Sequence, residues 1–228
     1  MENDVHHNSD QDRSSSYYTS DGFEIVHYEA DLVKKAIHLI RNPFHNIVSR
    51  FHLERKHFEK NNKRRELDRY SNDANGFHVW CKDLNTNFGP TFKTGKNEMM
   101  PEVVTSMNDP NLSIPRDVME LMQDLPCHGE FYKYAQWHNH ANAVTTKYLQ
   151  KPTMIVHYEK YDTAWNATAN KIFDFLHLDM IGTKKEFHAR HDYDPYFAPK
   201  DQERARKLIK KLASPFIWKQ VARYFPEK

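Results

Sequence analysis

The sequence predicts an α/β fold, a parallel sheet in three layers with helices on both faces. Three observations carry this. Short β-branched runs recur at residues 23–28, 35–41 and 153–158, and such runs read as strands buried on both faces. The second and third are followed by segments with apolar residues at helical spacing. Alternation of the two implies a parallel sheet covered by helices. With 228 residues and 39% hydrophobic content, the chain can bury one substantial core.

Residues 1–21 are rich in Ser, Asp and Asn and read as a disordered lead-in, leaving residues 22–228 as the folded domain. The first strand is Phe23-Glu24-Ile25-Val26-His27-Tyr28. The second, Lys35-Ala36-Ile37-His38-Leu39-Ile40-Arg41, stops at Asn42-Pro43. Pro43 opens a helix with Asn42 as its N-cap. Phe44, Ile47, Val48 and Phe51 give that helix its core face, and His45, Ser49, His52 and Lys56 its polar face. The basic run around residues 54–69 reads as a solvated helix end and loop. A short helix on Phe77, Trp80, Cys81, Leu84 and Phe88 follows. A loop rich in Asn, Gly and Pro then extends to about residue 112. Helices are predicted over 115–125 and 130–149. The third strand comes at 153–158, then a helix on Trp165, Ala169, Ile172, Phe173 and Leu176. After an irregular stretch at 182–199, two helices close the chain, one from Asp201 and one opened by Ser214-Pro215.

Composition excludes several classes. A net charge of +2 argues against a nucleic-acid or membrane surface. No apolar run approaches the ~18 residues of a bilayer span, and the polar N-terminus lacks the apolar region of a signal peptide. Cys81 and Cys127 are the two cysteines. They are too far apart for a CxxC metal site; one bridge or two buried thiols are both open, and separate thiols are favoured.

The most informative stretch runs from Ala36 through Arg41-Asn42-Pro43 to Ser49-Arg50. It delivers an arginine at the carboxyl end of a strand, where ligands bind in open α/β sheets. The following helix points its positive N-terminus at the same crevice and carries a serine two turns on. A guanidinium fork and a hydroxyl near a helix start suit a terminal phosphate.

This strand, Arg-Asn-Pro, helix and serine arrangement resembles the 3′-phosphate-binding segment of the PAPS-dependent sulfotransferases, where an Arg before Asn-Pro and a Ser eight residues later hold the nucleotide. Two further stretches are similar to that family: the helix at 130–138, and Met154-Ile155-Val156-His157-Tyr158-Glu159-Lys160-Tyr161, followed by Phe175 to Leu178. The resemblance covers residues 23–180. It implies a P-loop-NTPase-like sulfotransferase fold, PAPS (3′-phosphoadenosine 5′-phosphosulfate) as co-substrate, Arg41 and Ser49 as its ligands, and transfer of a sulfuryl group to a hydroxyl acceptor. Because the C-terminal Arg-Lys-Gly segment of the cytosolic enzymes is lacking, the carbohydrate-type members are the nearer match and a glycan is the favoured acceptor. That type implies the Golgi lumen, whereas a chain complete as written implies the cytoplasm.

One family element is missing. Nothing in residues 1–30 fits the Gly- and Lys-containing phosphosulfate loop, and Gly89-Pro90-Thr91-Phe92-Lys93-Thr94-Gly95-Lys96 fails a Walker A in spacing and in its last residue. The sequence thus reads as an N-terminally truncated member. In cytosolic members a histidine ends the strand before the Arg-Asn-Pro strand; by that resemblance His27 is the candidate catalytic base, with Glu29 or Asp31 as alternatives. Lys184, Lys185 and Arg190 are candidate further cations. His138 and His140, two apart on a helix, do not share a face, and the 188–192 cluster has ligand types but no matching partner cluster elsewhere, so no metal is expected. The competing reading is a catalytically inactive, sulfotransferase-like nucleotide-binding or scaffold protein. Nucleic-acid binding through residues 60–65 lacks a motif. Oligomeric state is not legible in the sequence.

Overall fold

The computed structural model describes residues 14–18, 24–28, 31–87, 114–179, 181–182, 187 and 196–225. The glycine- and lysine-containing stretch at 89–96, the 188–192 cluster and the cations Lys184, Lys185 and Arg190 lie outside the described residues.

Two strands form a parallel pair that carries the site. β3 (Ala36–Ile40) and β4 (Thr153–His157) run in register from Ala36 opposite Thr153 to Ile40 opposite His157. The ladder extends at the carboxyl end, where Tyr158 N–H donates to the Ile40 carbonyl at 2.8 Å. Two earlier strands, β1 (Ser14–Tyr18) and β2 (Glu24–Tyr28), form a separate antiparallel hairpin. β1 falls within the stretch read as a lead-in. The expectation that residues 23–28 join the parallel pair is not met among the described residues. The link from Tyr28 to Ala36 is shorter than the crossover of about a dozen residues that parallel neighbours require. The fold shown is helix-rich, with a small parallel sheet.

The helices follow the sequence signals closely. α1 (Pro43–Lys60) has proline at its first position, and the Asn42 side-chain oxygen accepts from Phe44 N–H at 2.9 Å and His45 N–H at 3.4 Å. Ile47, Val48 and Phe51 are buried as their spacing demands. The basic run resolves into the end of α1 and a short α2 (Arg64–Arg69) without buried residues. Its Arg69 makes a two-pronged bond to Asp83 on α3 (Ala74–Asn87). Gly76 sits so close to the Ser71 backbone that a Cβ there would overlap it; only glycine allows this approach.

α4 (Arg116–Met122) leads into α5 (His128–Ala143), which runs on as a π-helical turn at Val144–Tyr148. α5 is the central helix: Phe131, Tyr132, Ala135, Gln136 and Asn139 are all buried. Its Asn139 joins the two closing helices, α8 (Pro199–Leu212) and α9 (Pro215–Val221), which follow α6 (Lys160–Thr163) and α7 (Trp165–Leu176). The amide donates to the Leu212 carbonyl and its oxygen accepts from Ser214 N–H, both at 2.8 Å. One buried side chain thereby satisfies a helix end and a helix start.

The core centres on Phe51, Phe77, Phe131 and Phe197, packed edge to face with centroids 5.2 to 5.5 Å apart. Such pairs add roughly 0.5–1.5 kcal/mol each beyond area burial. Cys81 on α3 and Cys127, the residue before α5, are joined by a disulfide, which corrects the reading of two separate thiols. Sequence separation concealed a Cα–Cα distance of 4.4 Å, within bridging range. Cys127 holds a left-handed backbone (φ 54°), uncommon for a residue with a side chain.

Candidate functional site

At the carboxyl end of β3 and β4 the chain leaves a cavity of about 520 Å³, within the usual range for small-molecule sites. Its walls come from four elements. Leu39 and Arg41 project from β3 and its end, and Tyr158 from the end of β4. Asn46 and Arg50 lie one turn apart on α1. Glu130, Lys133, Tyr134, Trp137 and His138 form one stripe of α5. This is the edge at which open α/β sheets bind ligands.

Arg41 is held by its neighbours, and no carboxylate among the described residues forms an ion pair with it. Its guanidinium carbon stands 4.4 Å over the Tyr158 ring, a cation–π contact. Its backbone carbonyl accepts from the Tyr134 hydroxyl at 2.7 Å. Its Nε is buried without a hydrogen-bond partner, and the residue lines the cavity. The corner that follows is latched by Glu159. One carboxylate oxygen accepts from Asn42 N–H at 2.8 Å, and the other from the Tyr224 hydroxyl at 2.6 Å. Burial, then that hydrogen bond, push the Tyr224 phenol far up. Glu159 thus fixes the start of α1 against the end of β4, and Arg41 with it.

The opposite wall carries Arg50 and Lys133, both paired with the nearly buried Glu130: Arg50 Nη1 with Oε2, and Lys133 Nζ with Oε1 at 3.3 Å. Three cations against one carboxylate make the cavity electropositive, and Trp137, 59% exposed, adds an aromatic face at its edge. A polyanion bearing a ring system fits this donor set.

Behind the cavity, His138 packs on His38. His38 Nε2 lies 2.7 Å from His138 Nδ1, and both residues are buried. Burial and the adjacent His38 lower the His138 pKa to about 3. His140, two residues on, is exposed, as helical geometry requires. Among the described residues there is no cluster of three or more His, Cys, Asp or Glu side chains able to hold a metal.

The residues expected from sequence separate as follows. Arg41 lines the cavity. Ser49 is half-buried on α1 between Asn46 and Arg50 and is not among the lining residues. His27 lies on β2, whose side chains are outside the described residues, as is Glu29; Asp31 is exposed. Sequence reasoning missed Arg50, Lys133, Trp137 and His138 as cavity residues. The signal was present in α5, where Glu130, Tyr134 and His138 recur every fourth residue and so share one helix face.

A family model described as "Sulfotransferase domain" matches residues 29–191. The chain belongs to the sulfotransferase family, and its domain is that of a transferase moving a sulfuryl group. No curated protein and no solved structure matches the chain.

Proposed function

We propose that this sulfotransferase takes its sulfuryl group from PAPS and passes it to the hydroxyl of a carbohydrate. The observation that carries the donor assignment is Arg41, a strand-end guanidinium that lines an electropositive cavity and pairs with no carboxylate among the described residues. In this reading Arg41 grips the 3′-phosphate, and Ser49, on the same helix as Asn46 and Arg50, supplies a second donor. His27 takes the acceptor's proton. Arg50 and Lys133 lie within the same cavity and would offset the charge of the leaving nucleotide, the electrostatic share of catalysis in group transfers of this kind. A three-layer, P-loop-like sheet is the architecture that goes with this activity.

The carbohydrate assignment draws on two features. Trp137 at the cavity edge offers the flat apolar face on which a sugar ring stacks. The Cys81–Cys127 bridge fits an oxidising lumen such as the Golgi, a compartment rich in glycan hydroxyls.

Calorimetry with 3′-phosphoadenosine 5′-phosphate tests the donor site. Arg41→Ala should weaken binding on the order of 100-fold, the loss expected for a paired charge-assisted contact. Unchanged affinity would remove Arg41 from the site, and an unchanged Ser49→Ala variant would remove Ser49. A transfer assay with labelled PAPS then separates enzyme from relic. Binding without transfer to any hydroxyl acceptor would favour a non-catalytic nucleotide-binding protein.

A further inference from the structure

His38 and His138 occupy positions that elsewhere in this core hold apolar side chains. His38 alternates with Ile40 on the buried face of β3, and His138 lies on α5 directly against it. Two buried imidazoles offer four ring nitrogens, and each must be placed. His38 Nε2 and His138 Nδ1 satisfy one another at 2.7 Å. His38 Nδ1 is buried with no partner. His138 Nε2 has no partner among the described residues either, but it is not among the sealed unpaired atoms, and His138 lines the cavity.

Only one proton can lie between the rings, so two neutral arrangements exist. If His138 Nδ1 carried it, His38 would have to bear its own proton on Nδ1, leaving a sealed N–H with no acceptor. If His38 Nε2 carries it, Nδ1 is left as a bare lone pair. A buried orphan donor is the rarer and costlier of the two. The second arrangement therefore prevails, and it forces the tautomer of the partner ring: His138, accepting at Nδ1, must hold its proton on Nε2, the nitrogen open to the cavity. A cationic pair is disfavoured, since burial lowers the pKa of both rings and His38 repels a charged His138. The Tyr134 and Trp137 rings, edge-on at 4.4 and 4.9 Å, keep the His138 plane from turning.

We propose that His138 is a neutral Nε2–H donor to an oxyanion oxygen of the bound nucleotide, with His38 as the positioning residue that sets its tautomer. The ligand part of this rests on the cavity being the PAPS site. His138 then adds a directed hydrogen bond to a site whose charges come from Arg41, Arg50 and Lys133. The device resembles a backbone N–H: it binds an oxygen without adding charge, and it does not titrate near neutrality.

The test is nitrogen NMR on the whole chain with ¹⁵N-labelled histidines, followed by titration with 3′-phosphoadenosine 5′-phosphate. The free protein should show both rings as Nε2–H tautomers, and the His138 Nε2 signal should shift on nucleotide binding while His38 Nδ1 stays put. His138→Leu should weaken binding by about tenfold, the worth of one hydrogen bond. His138→Gln, whose amide can replace the donor, should recover most of that loss. A His138 ring protonated on Nδ1 would overturn the proposal. So would nucleotide binding that leaves its Nε2 signal unmoved, which spares the cavity assignment. Wild-type protein that binds no nucleotide yet shows the expected tautomers would instead sink the cavity assignment, and with it His138 as a nucleotide ligand. The measurement on wild-type protein holds whether or not the variants fold.

Discussion

A histidine that stays neutral inside a protein leaves a mark on stability as pH changes. Burial, reinforced by His38, takes the His138 pKa from its ordinary 6.5 to about 3; His38, His128 and His157 are lowered too, in each case chiefly by burial. The groups around the His138 ring are His38 on β3, Tyr134 and Trp137 on α5, and the cavity's Arg41, Arg50, Lys133, Glu130 and Tyr158. Above pH 6.5 folded and unfolded chains hold the same number of protons on His138. Below it the unfolded chain takes up a proton that the folded chain refuses, so stability falls as pH falls, through the window from 6.5 towards 3. Between pH 7.5 and 5 the loss from this residue should be about 1–2 kcal/mol. Urea denaturation at the two pH values checks it: His138→Gln should show a shallower decline than wild type, and equal declines would refute the assignment. Arg41 was legible in the sequence because strand end, Asn-Pro and helix start are consecutive residues. His138 was not, because its role depends on His38, a hundred residues away, and a lone histidine on a helix reads as core or surface with equal ease.

At the scale of the element, α1 is the part that aims the site. Its start is held twice: by the Asn42 side chain over Phe44 and His45, and by Glu159 from the end of β4. The first is local and was readable from Asn42-Pro43; the second crosses from another strand and was not. Asn42→Ala should cost about 1 kcal/mol in urea denaturation, while Asn42→Asp, which keeps the cap, should cost less. If alanine proved as stable as wild type, the capping role would fall. Spacing also located α5, yet its two faces looked alike in sequence. Where one face meets the core and the other a cavity, both tolerate aromatic side chains, and only packing tells them apart. The strand at Glu24–Tyr28 shows the limit from the other side. Its composition marked a strand correctly, but composition does not name a partner, and connection length ruled out direct parallel pairing with β3.

Across the whole molecule, the Cys81–Cys127 bridge ties α3 to the head of α5 over a sequence separation of 46. Closing a loop of that size removes unfolded-state entropy worth about 4 kcal/mol. The Cys81→Ser, Cys127→Ser double variant should therefore unfold at markedly lower urea, and wild type in reducing buffer should do likewise. A reduced chain as stable as the oxidised one would mean that the bridge constrains nothing. Sequence alone determined what depends on neighbours along the chain: the β3–α1 corner with Arg41 at its tip, the capped helix starts, the positions of most helices and the family they belong to. Tertiary structure decided what depends on neighbours in space: the disulfide, the Glu159 latch, the cations gathered around one cavity and the paired histidines behind it. The division has a physical cause. Periodicity and caps act over a few residues and leave a local pattern, whereas a pairing between distant residues exists only once the packing has brought them within bonding distance.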